Sequence, residues 1–188
     1  MNKMISTLVI CICFSNYVNA TNKFEYNAYL QNKQITVDID DLTTNLYLLK
    51  TATTKECKQY IHTVPPKPLW NNITPTLKLV NNLYNRYIIP KHTIISGYRD
   101  PKSNICTKGA THSKHIHNNA IDILISNKDI KYIQTVCTFW KKQGSKYNMG
   151  LGTYKQNFQG QKYTILHIDT SSYRTWGNNY KSNTSLCL

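Results

Sequence analysis

The chain has 188 residues, with 23 Lys or Arg against 9 Asp or Glu and a formal net charge of +14. That length suits one domain large enough to bury a core. The basic residues are scattered rather than gathered in runs and no nucleic-acid motif accompanies them, so the charge suits an anionic polymer in general and no nucleic-acid partner is expected.

Residues 1–20 have Lys3, an apolar stretch from Met4 to Phe14 and a small-residue exit at Val18-Asn19-Ala20. This is the three-part pattern of a secretory signal, with cleavage after Ala20. The apolar run is too short for a membrane span, and nothing later approaches the roughly 20 apolar residues that a spanning helix needs. The expected location is therefore extracellular or periplasmic, with no membrane anchor once the signal is removed. Cleavage would leave Cys57, Cys106, Cys137 and Cys187. In an exported chain this even count at wide, irregular spacing reads as two disulfides, with all three pairings open, and it excludes a compact Cys-x-x-Cys metal knuckle. A bridge from Cys187 would tie down the C-terminal tail. Asn72-Ile73-Thr74 and Asn183-Thr184-Ser185 match the glycosylation triplet.

Residues 35–39 alternate with period two and predict a strand, while Leu46–Leu49 suits either kind of element. Four prolines between Thr63 and Pro75 predict a loop or linker. A helix begins at Pro75, capped by Thr74, with Leu77, Val80, Leu83, Tyr84 and Tyr87 on one face, and stops before Pro90. A short strand over residues 93–96 leads to a turn at Gly97-Tyr98-Arg99-Asp100-Pro101. Residues 102–119 have no long apolar pattern and read as a loop.

Ala120–Ile125 is an apolar strand interrupted by Asp122. A helix then starts at Ser126 or Asn127, presents Ile130, Ile133, Val136, Cys137 and Trp140, and ends at Gly144. Met149–Tyr154 reads as a glycine-punctuated edge, and Tyr163–Asp169 as the last strand. Too few strand-helix-strand units are present for a doubly wound sheet, so the fold class is α+β, a small antiparallel sheet with flanking helices.

Chemistry gathers around the histidines. His112, His115 and His117 cluster just before the strand that holds Asp122. On the last strand, alternation puts His167 and Asp169 on one face and Leu166 and Ile168 on the other. Polar groups on such apolar strands are costly unless paired or bound to a metal. Two imidazoles and a carboxylate with one open position form a ligand set for catalytic zinc. Residue types alone leave open which of the three clustered histidines takes part. His62 and His92 carry no signal.

Three separated motifs resemble the zinc D-alanyl-D-alanine carboxypeptidases and endolysin-type peptidases of bacterial cell-wall metabolism, in their short, secreted form. They are Ile95-Ser96-Gly97-Tyr98-Arg99-Asp100-Pro101; then Ser113-Lys114-His115 with Ala120-Ile121-Asp122; then His167-Ile168-Asp169-Thr170 with Arg174 and Trp176. The resemblance covers roughly residues 74–177 and implies a zinc site on the sheet held by His115, Asp122 and His167. With the signal at 1–20, the expected division of the chain is an extension at 21–73 packing on the domain and a zinc peptidase domain at 74–188 with a short tail.

The resemblance further implies hydrolysis of an amide in peptidoglycan stem peptides by metal-activated water, and the chain is expected to be a monomer. Ser113 would position His115 or Asp122, and Arg99 would grip a substrate carboxylate or the oxyanion. His112 lines the pocket or carries a proton. Relatives place an acid three residues before the last ligand, where this chain has Thr164. That moves the general base to Asp169, unless Asp169 instead holds His167 in its tautomer. Asn118 replaces the family's glycine and suits a left-handed backbone. The same fold is similar to the hedgehog amino-terminal signalling domain, so the alternative is a non-catalytic, zinc-stabilised extracellular module.

Overall fold

The structure is a computed structural model that describes residues 22–35, 42, 60, 63–90, 94–158 and 160–188. The signal segment, the predicted strand beyond Ile35, the stretch at 46–49, Cys57, His62 and His92 lie outside these residues. Residues 22–32 form helix α1. Next come a 3-10 stretch at Lys67–Ile73 and helix α2 at Thr74–Asn85. Strand β1 (Ile94–Ser96), helix α3 (Pro101–Cys106), strand β2 (Ala120–Ser126) and helix α4 (Lys131–Gln143) follow. Strands β3 (Gly150–Phe158), β4 (Gln161–Asp169) and β5 (Arg174–Trp176) complete the order.

The strands make one five-stranded sheet in the order β1-β2-β4-β3-β5. All pairings are antiparallel except that of β5 with β3, which is parallel. The α+β architecture expected from the sequence is therefore present. Period-two alternation explains its two faces. Ile121, Ile123 and Ile125 of β2, Leu151 of β3 and Leu166 and Ile168 of β4 enter one core cluster with Leu77, Val80 and Leu83 of α2 and Ile133, Val136 and Trp140 of α4. Tyr26 and Leu30 of α1 belong to the same cluster. At roughly 2 kcal/mol for each fully buried aliphatic side chain, these residues hold the register, because a one-residue slip would turn them all to the other face. Asp122 and His167 are left on the opposite face.

Several local expectations change. The proline-rich segment contains the 3-10 stretch, with proline at its first turn. Thr74 lies inside α2 rather than capping it, since Ile73 is the N-cap and no side chain caps the helix. Tyr87 leaves the helix, with φ of 53° and a largely exposed ring. Ile130 precedes α4 and is exposed, whereas Phe139 joins its buried face. The predicted loop at 102–119 holds α3, whose N-cap Asp100 accepts from the backbone N–H groups of Lys102 and Ser103 at 2.8 and 3.3 Å. Strand β3 is no edge but lies between β4 and β5. Cys137 is bridged to Cys187, and Cys106 is also disulfide-bonded.

Candidate metal centre

Asp122 on β2 and His167 on β4 are direct partners across the antiparallel ladder. His115 comes from a 3-10 turn at Lys114–His117 that feeds β2. Asn118 closes that turn in the left-handed conformation, φ 51° and ψ 46°, as its residue type suggests. Its amide nitrogen donates to the Leu69 carbonyl at 3.0 Å. The Arg99 N–H donates to the His115 carbonyl at 3.2 Å and ties the turn to the strand exit after β1.

The three ligand atoms form a nearly equilateral triangle. His115 Nε2 is 3.1 Å from His167 Nδ1 and 3.1 Å from Asp122 Oδ1, and His167 Nδ1 is 3.1 Å from the same oxygen. Hydrogen bonds alone do not explain this shape, because a proton on one edge of such a triangle points away from the third atom. Tetrahedral zinc with bonds of about 2.0–2.1 Å places its ligand atoms about 3.3 Å apart. The triangle is within a few tenths of an ångström of that, so the donor set and its spacing fit a metal ion.

The outer partners fix which nitrogens carry lone pairs. His115 Nδ1 lies 2.6 Å from the Gly97 carbonyl. A carbonyl only accepts, so Nδ1 carries the proton and Nε2 faces the centre with its lone pair. The Gly97 carbonyl thus takes the place expected for Ser113, which instead lines the cleft as the N-cap residue of the turn. Burial first, and then the Arg99 charge, push the His115 imidazole down to about 4, so the ring is neutral at neutral pH. For Asp122 burial opposes ionisation, but His115 and Arg99 outweigh it and hold the carboxyl well below its usual range. Burial also lowers His167, yet the bonds to Asp122 and Asp169 prevail and raise it.

Arg99 donates through Nη2 to Asp122 Oδ2, and its Nε donates to Ser96 Oγ at 3.1 Å. It is buried and lines the cleft above the triad. The guanidinium thereby satisfies the Asp122 oxygen that the triangle does not use. Asp100, its sequence neighbour, caps α3 instead.

Asp169 lies on the outer side of His167. Its Oδ2 lies 3.3 Å from His167 Nε2, the ring nitrogen that faces away from the triangle. Arg174 grips both oxygens, with Nη2 to Oδ2 at 2.7 Å and Nη1 to Oδ1 at 3.1 Å. The Ser171 N–H adds a bond to Oδ1 at 2.9 Å. The carboxylate is fully buried, and although burial alone would raise its pKa, these partners depress it. A group so placed is in position to hold the imidazole in one tautomer, the second of the two roles that the sequence leaves open to it. Thr164 is out of reach: it shares the alternation of Leu166 and Ile168, opposite His167.

The cleft over the triad is lined by His112, Lys114, Tyr154, Gln156, Trp176, Asn178 and Tyr180 among others. Trp176 packs beside His167, ring centroids 5.3 Å apart, and its indole N–H donates to the Tyr154 hydroxyl. His117 is exposed and does not line the cleft. The Gly97 carbonyl carried no sequence signal, being a backbone contact, whereas Arg174 and Trp176 were visible only as parts of the last motif.

A family model described as Peptidase M15 matches residues 28–159. Comparison with curated proteins and with solved structures returned no match, and nothing in these comparisons points to the hedgehog domain. The matched stretch contains His115 and Asp122 and stops before β4, so the sheet pairing brings the third histidine, His167, to the site. With more than half of its length matched, the chain belongs to the peptidase M15 family.

Proposed function

We propose that the chain is a secreted zinc metallopeptidase that hydrolyses an amide bond in peptidoglycan stem peptides, acting as a monomer. The triangle formed by His115, Asp122 and His167 beneath an open cleft carries this reading. When bound, zinc would polarise the substrate carbonyl and acidify a water. His115 Nε2 and His167 Nδ1 would supply lone pairs and Asp122 the anionic ligand, while Arg99 keeps the second Asp122 oxygen occupied.

A proton must still leave the attacking water and reach the departing amine. Asp122 is the one carboxylate among the described residues that line the cleft, and it is a ligand. His112 is the lining imidazole outside the triad, so the proton transfer is assigned to it. The disulfide chemistry of Cys106, Cys137 and Cys187 supports an oxidising, extracytoplasmic location. The net charge of +14 supports attraction to an anionic bacterial wall.

The test is mass analysis of purified peptidoglycan and muropeptides after digestion, with chelator and with zinc restored. Loss of a peptide bond that chelator blocks and zinc restores is the expected result. Intact substrate from a protein that holds zinc would leave the non-catalytic module. Activity that chelation leaves untouched would overturn the metal assignment.

A further inference from the structure

The geometry points to Arg174 as a positioning residue for the metal centre, acting through Asp169 on His167. This inference rests on the zinc reading above. Asp169 can only accept, so its contact with His167 Nε2 keeps the proton on that nitrogen and the lone pair on Nδ1, toward Asp122 and His115. Without Arg174 the buried carboxylate would keep the Ser171 N–H on Oδ1 and only the 3.3 Å contact with His167 on Oδ2, so the oxygen that faces the imidazole would be poorly satisfied and free to shift. The two-pronged contact from Arg174 removes that freedom.

Arg174 is itself fixed. Its Nη1 also donates to the Ser172 carbonyl at 3.1 Å and to Ser172 Oγ at 2.9 Å. Its guanidinium lies 4.6 Å from the Trp176 ring centroid, on the ring that flanks His167. Strand β3 is cut away to admit these groups. A Cβ at Gly150, which pairs with both Asp169 and Arg174, would lie 2.4 Å from Asp169 Oδ2 and 2.7 Å from Arg174 Nη1. The glycine is the socket in which the pair sits.

A plain salt bridge that only tied β5 to the sheet would leave metal binding and the His167 proton indifferent to Arg174. Two measurements separate the readings: zinc affinity by competition with a chromophoric chelator, and ¹⁵N–¹H spectra of the histidine rings. The Arg174 side chain is one-third exposed, against none for Asp169, so truncating it opens no core cavity. Arg174→Ala is expected to weaken zinc binding about 10- to 100-fold, the usual effect of losing a ligand's outer partner. The His167 Nε2–H signal should shift or broaden while the His115 Nδ1–H signal, held by Gly97, stays in place.

Arg174→Lys, which keeps the charge and loses the fork, should recover part of the affinity. Gly150→Ala should disturb the same signal from the opposite side. Zinc affinity within twofold of wild type in Arg174→Ala, with an unmoved His167 signal, overturns the inference. So does an equal shift of both histidine signals, which marks a general brace. If the wild-type protein itself takes up no zinc, the metal reading fails first and this inference with it.

Discussion

Removing the bridge between Cys137 and Cys187 by Cys187→Ser tests how the tail supports the site. The bridge joins α4 to the penultimate residue and closes a loop of 50 residues. In the chain-entropy account, a loop of that size restricts the unfolded chain by about 14 cal/mol/K, or roughly 4 kcal/mol at 25 °C. That is a large part of the roughly 5–15 kcal/mol that separates folded from unfolded states. Other contacts keep the tail in place after the change: the Leu186 N–H donates to Thr153 Oγ1 at 2.9 Å, and the Thr175 and Ser185 hydroxyls lie 2.6 Å apart. The expected loss is therefore about 2–4 kcal/mol by urea unfolding. Tryptophan fluorescence is a suitable probe, because Trp140 donates to the Met149 carbonyl and stacks on Tyr173. The tail also follows the cleft residues Asn178 and Tyr180, so KM should rise while zinc content stays at its wild-type level. A stability loss below about 0.5 kcal/mol would refute the entropic argument. An unchanged KM would refute the link between the bridge and the cleft wall.

His112→Asn should lower turnover by about 10²- to 10⁴-fold with zinc content unchanged, and wild-type turnover would remove it from proton transfer. Thr164→Glu puts a carboxylate where relatives carry their acid, but on the core side of β4. It should cost about 2 kcal/mol or more of stability and add no activity, and a gain in turnover would refute the strand facing. Asn118→Ala loses the bonds to Leu69 and Tyr26 and strains a left-handed backbone, whereas Asn118→Gly loses the bonds alone, so thermal melting should rank Ala below Gly. Asp169→Asn should weaken zinc binding, with activity returning at saturating zinc. An undiminished affinity with abolished turnover would restore Asp169 as the base.

Long, regular signals were legible before the fold was known. The spacing of Leu77, Val80 and Leu83, and of Ile133, Val136 and Trp140, marked two helices because each buries one face. The alternation around Asp122 and His167 placed polar groups on apolar strands, and the structure shows the opposing face that receives them. Two short elements escaped, although the three-residue β1 did not. Helix α3 has six residues and little apolar surface, although Asp100-Pro101 already had the form of a cap followed by a first-turn proline. Strand β5 has three residues and pairs in parallel, which no hairpin signal announces.

Gly150 and Gly152 made β3 read as an edge, because glycine weakens a strand when nothing else is known of its surroundings. In the sheet they are the room that Asp169, Arg174 and Trp176 occupy. The choice between the two roles open to Asp169 lay beyond the sequence for a different reason. Sharing a face with His167 is a matter of alternation, but touching its outer nitrogen rather than a water is a matter of rotamer and of Arg174, five residues on.

The positions of the ligands have a topological consequence for the chain. A metal ion held by His115 and His167 closes a loop across 52 residues, and the bridge between Cys137 and Cys187 closes another across 50. The two loops interlace, sharing residues 137–167, which include most of α4 and all of β3. With both closures in place, that shared stretch cannot be drawn out from either end of the chain. Until the ion leaves or the sulfur bond breaks, unfolding this stretch frees less conformational entropy, and each closure adds to the restriction imposed by the other.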